Sequence, residues 1–289
     1  MDIMGTENDD EILGTAAIDR INGGSGNDTI YGGLSFDAIT GGEGSDFLVG
    51  DSFIDTFSDE NFSHTDWIRG GDGNDTLVGG DFSTMPFELA NGAPIQFSFG
   101  LKGGTVGGAG GDALWGQNGD DVIWGSQGND AIGGGTGNDV IYGLSGADSI
   151  YGGSGDDVIT KMDGSSIIFG GDGNDVITGG GGNDTIWGGQ GDDTLNGDGE
   201  AGLRADTFRF AANHGNDVIT LFGTTTDILD LSFLDTRFQS IAEVADASES
   251  VASPNDQFDF AVLIHTSASD SILLLSNSEI IISDLNFIL

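Results

Sequence analysis

The sequence predicts an all-β fold in which short parallel strands wind into an elongated solenoid. The main observation is a nine-residue period, because the chain from Gly107 to Asn196 consists of ten consecutive units without an insertion. Position eight of every unit is Leu or Ile, and position six is aspartate in nine of the ten. A second observation is the glycine content of 53 residues, since glycine usually makes up only about 7% of a chain. Together these features are typical of stacked coils that bury one aliphatic side chain per strand.

The charge and cysteine content narrow the classes of function. The chain has 48 acidic and 7 basic residues, which gives a formal net charge of -41. Such a chain repels a phosphate backbone, so we expect no nucleic-acid partner. Cysteine is absent, which leaves oxygen atoms as the abundant metal ligands. No apolar run approaches the roughly 18 residues that span a membrane, so we expect no transmembrane segment.

Residues 1–78 are predicted to form an N-terminal array that is partly degenerate. A two-residue slip at Asp59 and Glu60 precedes one unit from Asn61 to Arg69 and a regular unit from Gly70 to Val78 with Asp75 at position six. The units before the slip begin at Gly5, Gly14, Gly23, Gly32, Gly41 and Gly50, with Asp10, Asp19, Asp28, Asp37, Asp46 and Asp55 at position six. Residues 79–106 break the pattern and are predicted to be an inserted loop.

Residues 107–200 are predicted to form the main array of ten nonapeptides. The unit that begins at Lys161 is an exception, because it has Ser166 at position six but keeps Ile168 at position eight. We therefore expect this coil to stack normally and to have a weakened or missing metal site. Position six of the other units is occupied by Asp112, Asp121, Asp130, Asp139, Asp148, Asp157, Asp175, Asp184 and Asp193.

Each part of the nonapeptide has a physical role. Glycines in the first six residues permit positive φ and a tight turn that leaves carbonyl groups accessible. Aspartate at position six closes the turn with a carboxylate. The last three residues form a short strand whose middle side chain points inward. Two units make a coil of 18 residues, and stacked coils would bring turn carbonyls and carboxylates around one ion, which matches the six to eight oxygen ligands of calcium.

The repeat G-G-x-G-x-D-x-U-x, as in Gly134–Tyr142 and Gly170–Thr178, resembles the calcium-binding nonapeptide of the RTX (hemolysin-type) family over roughly residues 5 to 210. The resemblance implies a parallel β-roll, a right-handed β-solenoid, that binds several calcium ions. Positions one, three and five of one turn and two, four and six of its stacked neighbour are the expected ligands.

The ligand candidates fall into three groups. The carboxylates are Asp28, Asp37, Asp46, Asp75, Asp112, Asp121, Asp130, Asp139, Asp148, Asp157, Asp175, Asp184 and Asp193. The glycines are Gly116, Gly125, Gly134, Gly135, Gly137, Gly143, Gly152, Gly153, Gly155, Gly170, Gly171, Gly173, Gly179, Gly180 and Gly182. The asparagines are Asn129, Asn138, Asn174 and Asn183. Because such sites exist only in the folded state, we expect the chain to fold on binding calcium.

Residues 201–289 are predicted to form a β-rich cap that also carries a secretion signal. Apolar runs at 228–234, 260–264, 272–275 and 280–282 would cover the open end of the solenoid. The N-terminus has no basic and apolar leader of the Sec type, and the tail resembles that of RTX proteins. The resemblance implies export through a type I secretion apparatus and a secreted, extracellular or cell-surface location.

We expect no enzyme activity, because the repeats begin at Gly5 and no zinc-protease motif is present. The favoured role is structural, at a surface or in adhesion, with self-assembly as one form of it. Outward position nine carries a strip of aromatic residues that could stack on a ligand such as polysaccharide or be covered by another part of the chain. The alternatives are therefore a polysaccharide-binding module and a membrane-active, pore-forming protein. The strip consists of Trp115, Tyr151, Phe169 and Trp187.

Overall fold

Two long sheets of mainly parallel strands enclose one core. The computed structural model of the protein describes residues 1–51, 66–79, 111–198, 204–234, 238–254 and 258–289. Within these residues one sheet contains 12 strands and the other 13, and successive strands of the repeat region alternate between the two. This arrangement confirms the predicted all-β, parallel β-roll fold.

The N-terminal strands pair with a regular offset of one coil. Ile21, for example, lies beside Ile39, which is 18 residues further along the chain, whereas Ile39 lies beside Ile68, which is 29 residues further along. The strands are β1 (Asp2–Met4), β2 (Glu11–Leu13), β3 (Arg20–Ser25), β4 (Thr29–Gly33), β5 (Ala38–Glu43), β6 (Phe47–Asp51), β7 (Trp67–Asp72) and β8 (Thr76–Val78).

The central strands continue both sheets without a break in pairing. Strand β7 pairs with β9 and β8 with β10, so the described residues on both sides of the predicted 79–106 insertion share the same two sheets. Apart from Gly79, that insertion lies outside the described residues. The central strands are β9 (Ala113–Asn118), β10 (Val122–Trp124), β11 (Ala131–Thr136), β12 (Val140–Ser145), β13 (Ser149–Ser154), β14 (Val158–Asp163), β15 (Ile167–Asp172), β16 (Val176–Thr178), β17 (Thr185–Gln190) and β18 (Thr194–Asn196).

Many strands are longer than the three residues expected from the repeat. Strands β13 and β15 each contain six residues, because the first three residues of the following unit continue the ladder. Gly153 pairs with Gly171 in this extension. The first three residues of the turn are therefore held by the same parallel pairing as the strand before them.

The core consists of the aliphatic side chains at position eight. Ile159 and Ile177 are fully buried, whereas the outward residues directly before them, Val158 and Val176, are 40% and 46% exposed. Burial of one such aliphatic side chain contributes about 1.5–3 kcal/mol. The alternation explains why position eight stays aliphatic while positions seven and nine vary.

The C-terminal region closes the core with strands and larger side chains. Phe208, Phe210 and Phe222 are buried here in the same core cluster as the isoleucines. Strand β24 extends one sheet parallel to β20, and β25 extends the other parallel to β21. The elements are β19 (Thr207–Ala211), β20 (Asn216–Thr220), β21 (Ile228–Phe233), α1 (Ile241–Asp246), β22 (Ser248–Ser250), β23 (Phe260–His265), β24 (Ser271–Ser276), a 3-10 turn (Ile282–Asp284) and β25 (Asn286–Ile288).

The cap differs from the roll in strand direction. Strands β22, β23 and β24 form an antiparallel meander. The predicted apolar run at 280–282 leads into the 3-10 turn and is not a strand. Within the described ranges, helix α1 spans six residues, and no helix has the length and hydropathy required to cross a membrane.

Candidate metal centre

The turns between strands have a backbone conformation that glycine favours. In the turn 152–157, Gly153 and Gly155 at positions two and four have φ values of 127° and 123°. L-residues rarely adopt this region because of their Cβ atom. Gln117 and Leu144 occupy position two of other turns and nevertheless have φ values of 88° and 59°. Position two therefore keeps a positive φ where glycine is missing, although the strand pairing is irregular at Leu144.

The position-six residues form two columns that run along the roll. The Asp139 backbone N–H donates to Asp157 Oδ1 at 2.8 Å, and the Asp157 N–H donates to Asp175 Oδ1 at 2.9 Å. The first column contains Asp10, Asp28, Asp46, Asp75, Asp121, Asp139, Asp157, Asp175, Asp193 and Asp217. The second contains Asp19, Asp37, Asp66, Asp112, Asp130, Asp148, Ser166, Asp184, Asp206 and Asp227.

The second oxygen of many of these carboxylates is buried without a hydrogen-bond partner. An unpartnered buried oxygen is costly, so its recurrence at one position points to a bound group. Within the described part of the chain it is the Oδ2 atom of Asp28, Asp46, Asp75, Asp121, Asp139, Asp157, Asp175, Asp184, Asp193 and Asp206.

The position-one glycine leaves room for oxygen atoms around this point. A Cβ atom at Gly134 would lie 2.2 Å from Asp139 Oδ2 and 2.6 Å from the carbonyl oxygen of Gly152 in the next turn. The carboxylate oxygen and the carbonyl of the stacked turn therefore face the same space. Hard oxygen donors from two turns are the ligands that calcium prefers.

Burial and mutual repulsion raise the pKa values of these carboxyl groups. Burial is the main cause at Asp157, whose pKa is raised to about 7, with Asp139 and Asp175 as further contributors. Burial likewise raises the pKa of Asp193 to about 8. The charged form is thus unfavourable unless a cation is bound.

The donor set fits calcium better than a metal held by clustered side chains. Among the residues that the structure describes, no three acidic or histidine side chains converge on one point. Each turn instead offers one carboxylate oxygen, and backbone carbonyls would supply the remaining ligands. A ligand set rich in carbonyl oxygens is compatible with calcium and unsuited to zinc.

The predicted glycine and asparagine candidates lie in the turns. Gly116, Gly125, Gly143, Gly170 and Gly179 are buried at position one, like Gly134 and Gly152. The asparagine side chains form hydrogen bonds between successive coils. The Oδ1 atoms of Asn129, Asn138 and Asn174 accept N–H groups of the next coil at 2.8 Å, and Asn183 does so at 3.3 Å. They form an exposed outer ladder parallel to the aspartate columns, and their backbone carbonyl groups are the position-five ligands that the repeat predicts.

Some turns satisfy their carboxylate within the turn. The Ser126 N–H donates to Asp130 Oδ2 at 2.7 Å, and Thr6 and Thr15 make the same bond to Asp10 and Asp19. Asp130, a predicted ligand, therefore differs from the unpartnered carboxylates. Another predicted ligand, Asp148, is paired with the ammonium group of Lys161 at 2.5 Å.

Several column members were not among the predicted ligands. Asp66 lies beside Gly50, since a Cβ atom at Gly50 would lie 2.3 Å from Asp66 Oδ2. Asp55, the residue expected there, lies outside the described residues. Asp66 does occupy position six of the predicted unit at 61–69, so the nine-residue register of that unit could have identified it as a column member. Asp206, Asp217 and Asp227 continue the columns beyond the strict repeat.

The last aspartate of the first column contacts the cap. Asp217 Oδ2 lies 2.6 Å from His214 Nδ1, and His214 Nε2 lies 2.6 Å from Thr266 Oγ1. All three residues are buried. A side chain of the protein thus occupies the oxygen that is unpartnered in the coils before it.

The aromatic strip is a stacked ladder on one outer face. Tyr151 and Phe169 are 5.0 Å apart and nearly parallel, and Phe169 and Trp187 are 4.2 Å apart. The Arg209 guanidinium covers the far side of Trp187 at 4.6 Å. Trp115 lies against Gly133 instead, where a Cβ atom would be 2.4 Å from its ring. Most ring faces in the ladder are therefore used by a neighbouring side chain.

These features define a calcium-binding parallel β-roll, in which stacked turns place rows of oxygen ligands along the outside of an aliphatic core. The model of the RTX calcium-binding nonapeptide repeat, in four copies, matches residues 4–39, 29–57, 62–83, 106–141, 133–160 and 162–201. These matches cover more than half of the chain, and the protein belongs to this family. Its repeats bind several calcium ions. No curated protein matches the chain.

Proposed function

We propose that the protein is a secreted, non-enzymatic calcium-binding protein that folds on binding calcium and serves a structural or adhesive role at a surface. The observation that carries the proposal is the pair of columns with buried, unpartnered carboxylate oxygens. Without cations, these oxygens would repel one another within a chain whose net charge is already -41. Calcium supplies the opposite charge only where the turns are stacked, so binding favours the folded state.

The test is a calcium titration of the calcium-free chain followed by circular dichroism. We expect little β-structure in chelator and a cooperative gain of β-structure at millimolar calcium. Magnesium at the same concentration is the matched control, because its smaller ion requires a tighter octahedral geometry and retains water ligands. The same folded spectrum in excess chelator would contradict the coupling of folding to calcium.

Export through a type I secretion apparatus is the second part of the proposal. Its support is the family and the predicted C-terminal signal. Strand β25 is also the last strand of one sheet, where Phe287 lies beside Leu229. We therefore propose that the tail acts as both cap and signal. Co-expression with such an apparatus should release the full chain, and removal of residues 284–289 should retain it in the cell while a Phe287→Ala variant is still released.

A surface role is favoured over sugar binding by the geometry of the aromatic ladder. Stacking on a sugar ring requires a free aromatic face, whereas Phe169 lies between Tyr151 and Trp187. In calcium, we expect sizing measurements to show reversible assembly that chelator abolishes. Glycan-array binding lost in a Tyr151→Ala variant would favour the polysaccharide module instead. Calcium-dependent leakage of liposomes would favour the membrane-active alternative.

A further inference from the structure

The buried ammonium group of Lys161 lies where the turns 143–148 and 161–166 are stacked. Its Nζ atom is 2.5 Å from Asp148 Oδ2 and 2.7 Å from the carbonyl oxygen of Leu144. The carbonyl oxygens of Gly146 and Asp163 are each 3.1 Å away. Neither the Lys161 nor the Asp148 side chain is exposed to solvent. A buried ammonium group is stable only with such a set of partners.

These four oxygens occupy particular positions of the repeat. Leu144, Gly146 and Asp148 are positions two, four and six of one turn, and Asp163 is position three of the turn stacked on it. They are therefore the same positions that are expected to bind calcium between stacked turns elsewhere. In the opposite column, the equivalent oxygen of Asp157 has no partner.

The local sequence makes room for the lysine chain. Lys161 replaces the glycine of position one, and a Cβ atom at Gly143 one coil earlier would lie 2.5 Å from Lys161 Cδ. The missing side chain at Gly143 thus allows the lysine to reach the carboxylate. The neighbouring Ser166 keeps the stacking role of aspartate, because it accepts the Asp148 N–H at 3.1 Å and donates its own N–H to Asp184 at 2.7 Å.

The charges of this unit also change together. An ammonium group carries one positive charge where calcium carries two, and the same unit lacks one carboxylate because of Ser166. The hydrogen bonds of Ser166 continue the second column through this coil, but the coil does not stack in the expected regular way, because the pairing of β12 with β14 is irregular where Leu144 lies beside Lys161. Ser166 also cannot provide the unpartnered carboxylate oxygen of a standard turn. Two successive positions in the second column thus depart from the calcium pattern, one by an added cation and one by a lost anion.

We propose that the Lys161 ammonium group occupies the cation position between the turns 143–148 and 161–166, so that this position takes no calcium. The proposal depends on calcium binding by the standard turns, and it does not depend on the surface role. Its consequence is one turn position of the roll whose charge balance is independent of the calcium concentration, while the opposite turns of the same layer, with Asp157 and Asp175, still take calcium.

The test counts bound calcium by equilibrium dialysis and elemental analysis. A Lys161→Gly variant restores the repeat and keeps all the oxygens, so it should bind one more ion than the wild type. Asp157→Asn removes a standard carboxylate and should bind one fewer, which calibrates the count. Asp148→Asn should leave the wild-type count unchanged and should remove the ion gained by Lys161→Gly.

Two results would overturn the proposal while leaving the standard sites intact. The first is an equal count for Lys161→Gly and wild type when Asp157→Asn is lower by one. The second is the loss of one ion in Asp148→Asn alone. If Asp157→Asn also left the number of bound ions unchanged, calcium binding at the standard turns would be refuted. Lys161 would then have no calcium ion to replace.

A measurement on the wild type avoids the risk that a variant fails to fold. The chain has two lysines, Lys102 and Lys161, so peptide mapping after amine acetylation identifies the modified residue. Lys161 should stay protected at saturating calcium, because the ammonium group remains in its site. Acetylation of Lys161 in the folded, calcium-saturated protein would show that calcium displaces it and would contradict the proposal.

Discussion

Lowering the pH from 8 to 6 should weaken calcium binding by the roll. A carboxylate must lose its proton to bind calcium, so protons and calcium compete for the same oxygen. Burial raises the pKa values of Asp75, Asp121 and Asp157 to about 7. The competition therefore falls within the neutral range, whereas an exposed aspartate titrates near pH 4.

The size of the effect follows from these pKa values. A carboxyl group with a pKa of about 7 is about nine-tenths ionised at pH 8 and about one-tenth ionised at pH 6. The apparent affinity of each such site should thus fall about tenfold between the two pH values. Each ion bound at pH 7 should also release about half a proton at a site of this kind.

The calcium-free roll should respond in the opposite direction. A carboxyl group whose pKa is higher in the folded state than in the unfolded state favours folding while it is protonated. For Asp157, that contribution is present below the usual aspartate pKa of 3.8 and is lost as the pH rises through the folded-state pKa of about 7. In chelator, residual β-structure should therefore increase on acidification, whereas in limiting calcium it should decrease between pH 8 and pH 6.

The assay combines a calcium titration by circular dichroism with calorimetry. The titration is run at pH 8, 7 and 6 at constant ionic strength, and the heats at pH 7 are compared in two buffers with different ionisation enthalpies. The midpoint should move to higher calcium as the pH falls, and the heats should depend on the buffer. A midpoint independent of pH, together with no proton release, would refute the idea that buried carboxyl groups bind the ions.

Three further experiments test other parts of the structure. Ile159→Ala should lower the free energy of unfolding in calcium, measured by urea denaturation, by about 2–5 kcal/mol. The control Val176→Ala, at an exposed position, should change it by less than about 0.5 kcal/mol. Equal effects would contradict the assigned core. Gly152→Ala should reduce the number of bound calcium ions by one in equilibrium dialysis, because its Cβ would lie 2.3 Å from Asp157 Oδ2. An unchanged number would contradict the idea that the position-one glycine makes room for the ligand oxygens. A double-mutant cycle of Tyr151→Ala and Phe169→Ala should give a coupling energy of about 0.5–1.5 kcal/mol, and additivity would argue against a stacked ladder.

The nine-residue period predicts the main architecture because each feature of the repeat has one local cause. Position eight must be apolar to fill the core, as Ile141 and Ile150 show. Position six must carry an acceptor for the preceding coil, which Asp157 and even Ser166 provide. These requirements recur in every coil, so a single sequence is enough to reveal the sheets and the columns.

Features that depend on the path of a long side chain or on a break in the nine-residue period are harder to predict from the sequence. The position of Asp66 beside Gly50 depends on where the register resumes after residue 50, and the nine-residue period does not specify that point. The path of Lys161 depends on the space above Gly143, a contact between residues 18 positions apart. The Asn138 ladder and the Ser126 turn likewise depend on which of several hydrogen bonds a polar side chain selects.

The stacking of coils also has a mechanical meaning. Each repeat strand pairs with the strand one coil before it and the strand one coil after it, so a force along the roll axis loads the coils in series. Release of one 18-residue coil would free roughly 60 Å of extended chain and shorten the sheets by about 4.8 Å. Such a molecule would extend in repeated steps, with a yield force set by ambient calcium in most coils. On one side of its coil, Lys161 would keep its cation in place when the calcium is withdrawn, whereas the opposite turn of the same coil, which Asp175 closes, would lose its ion.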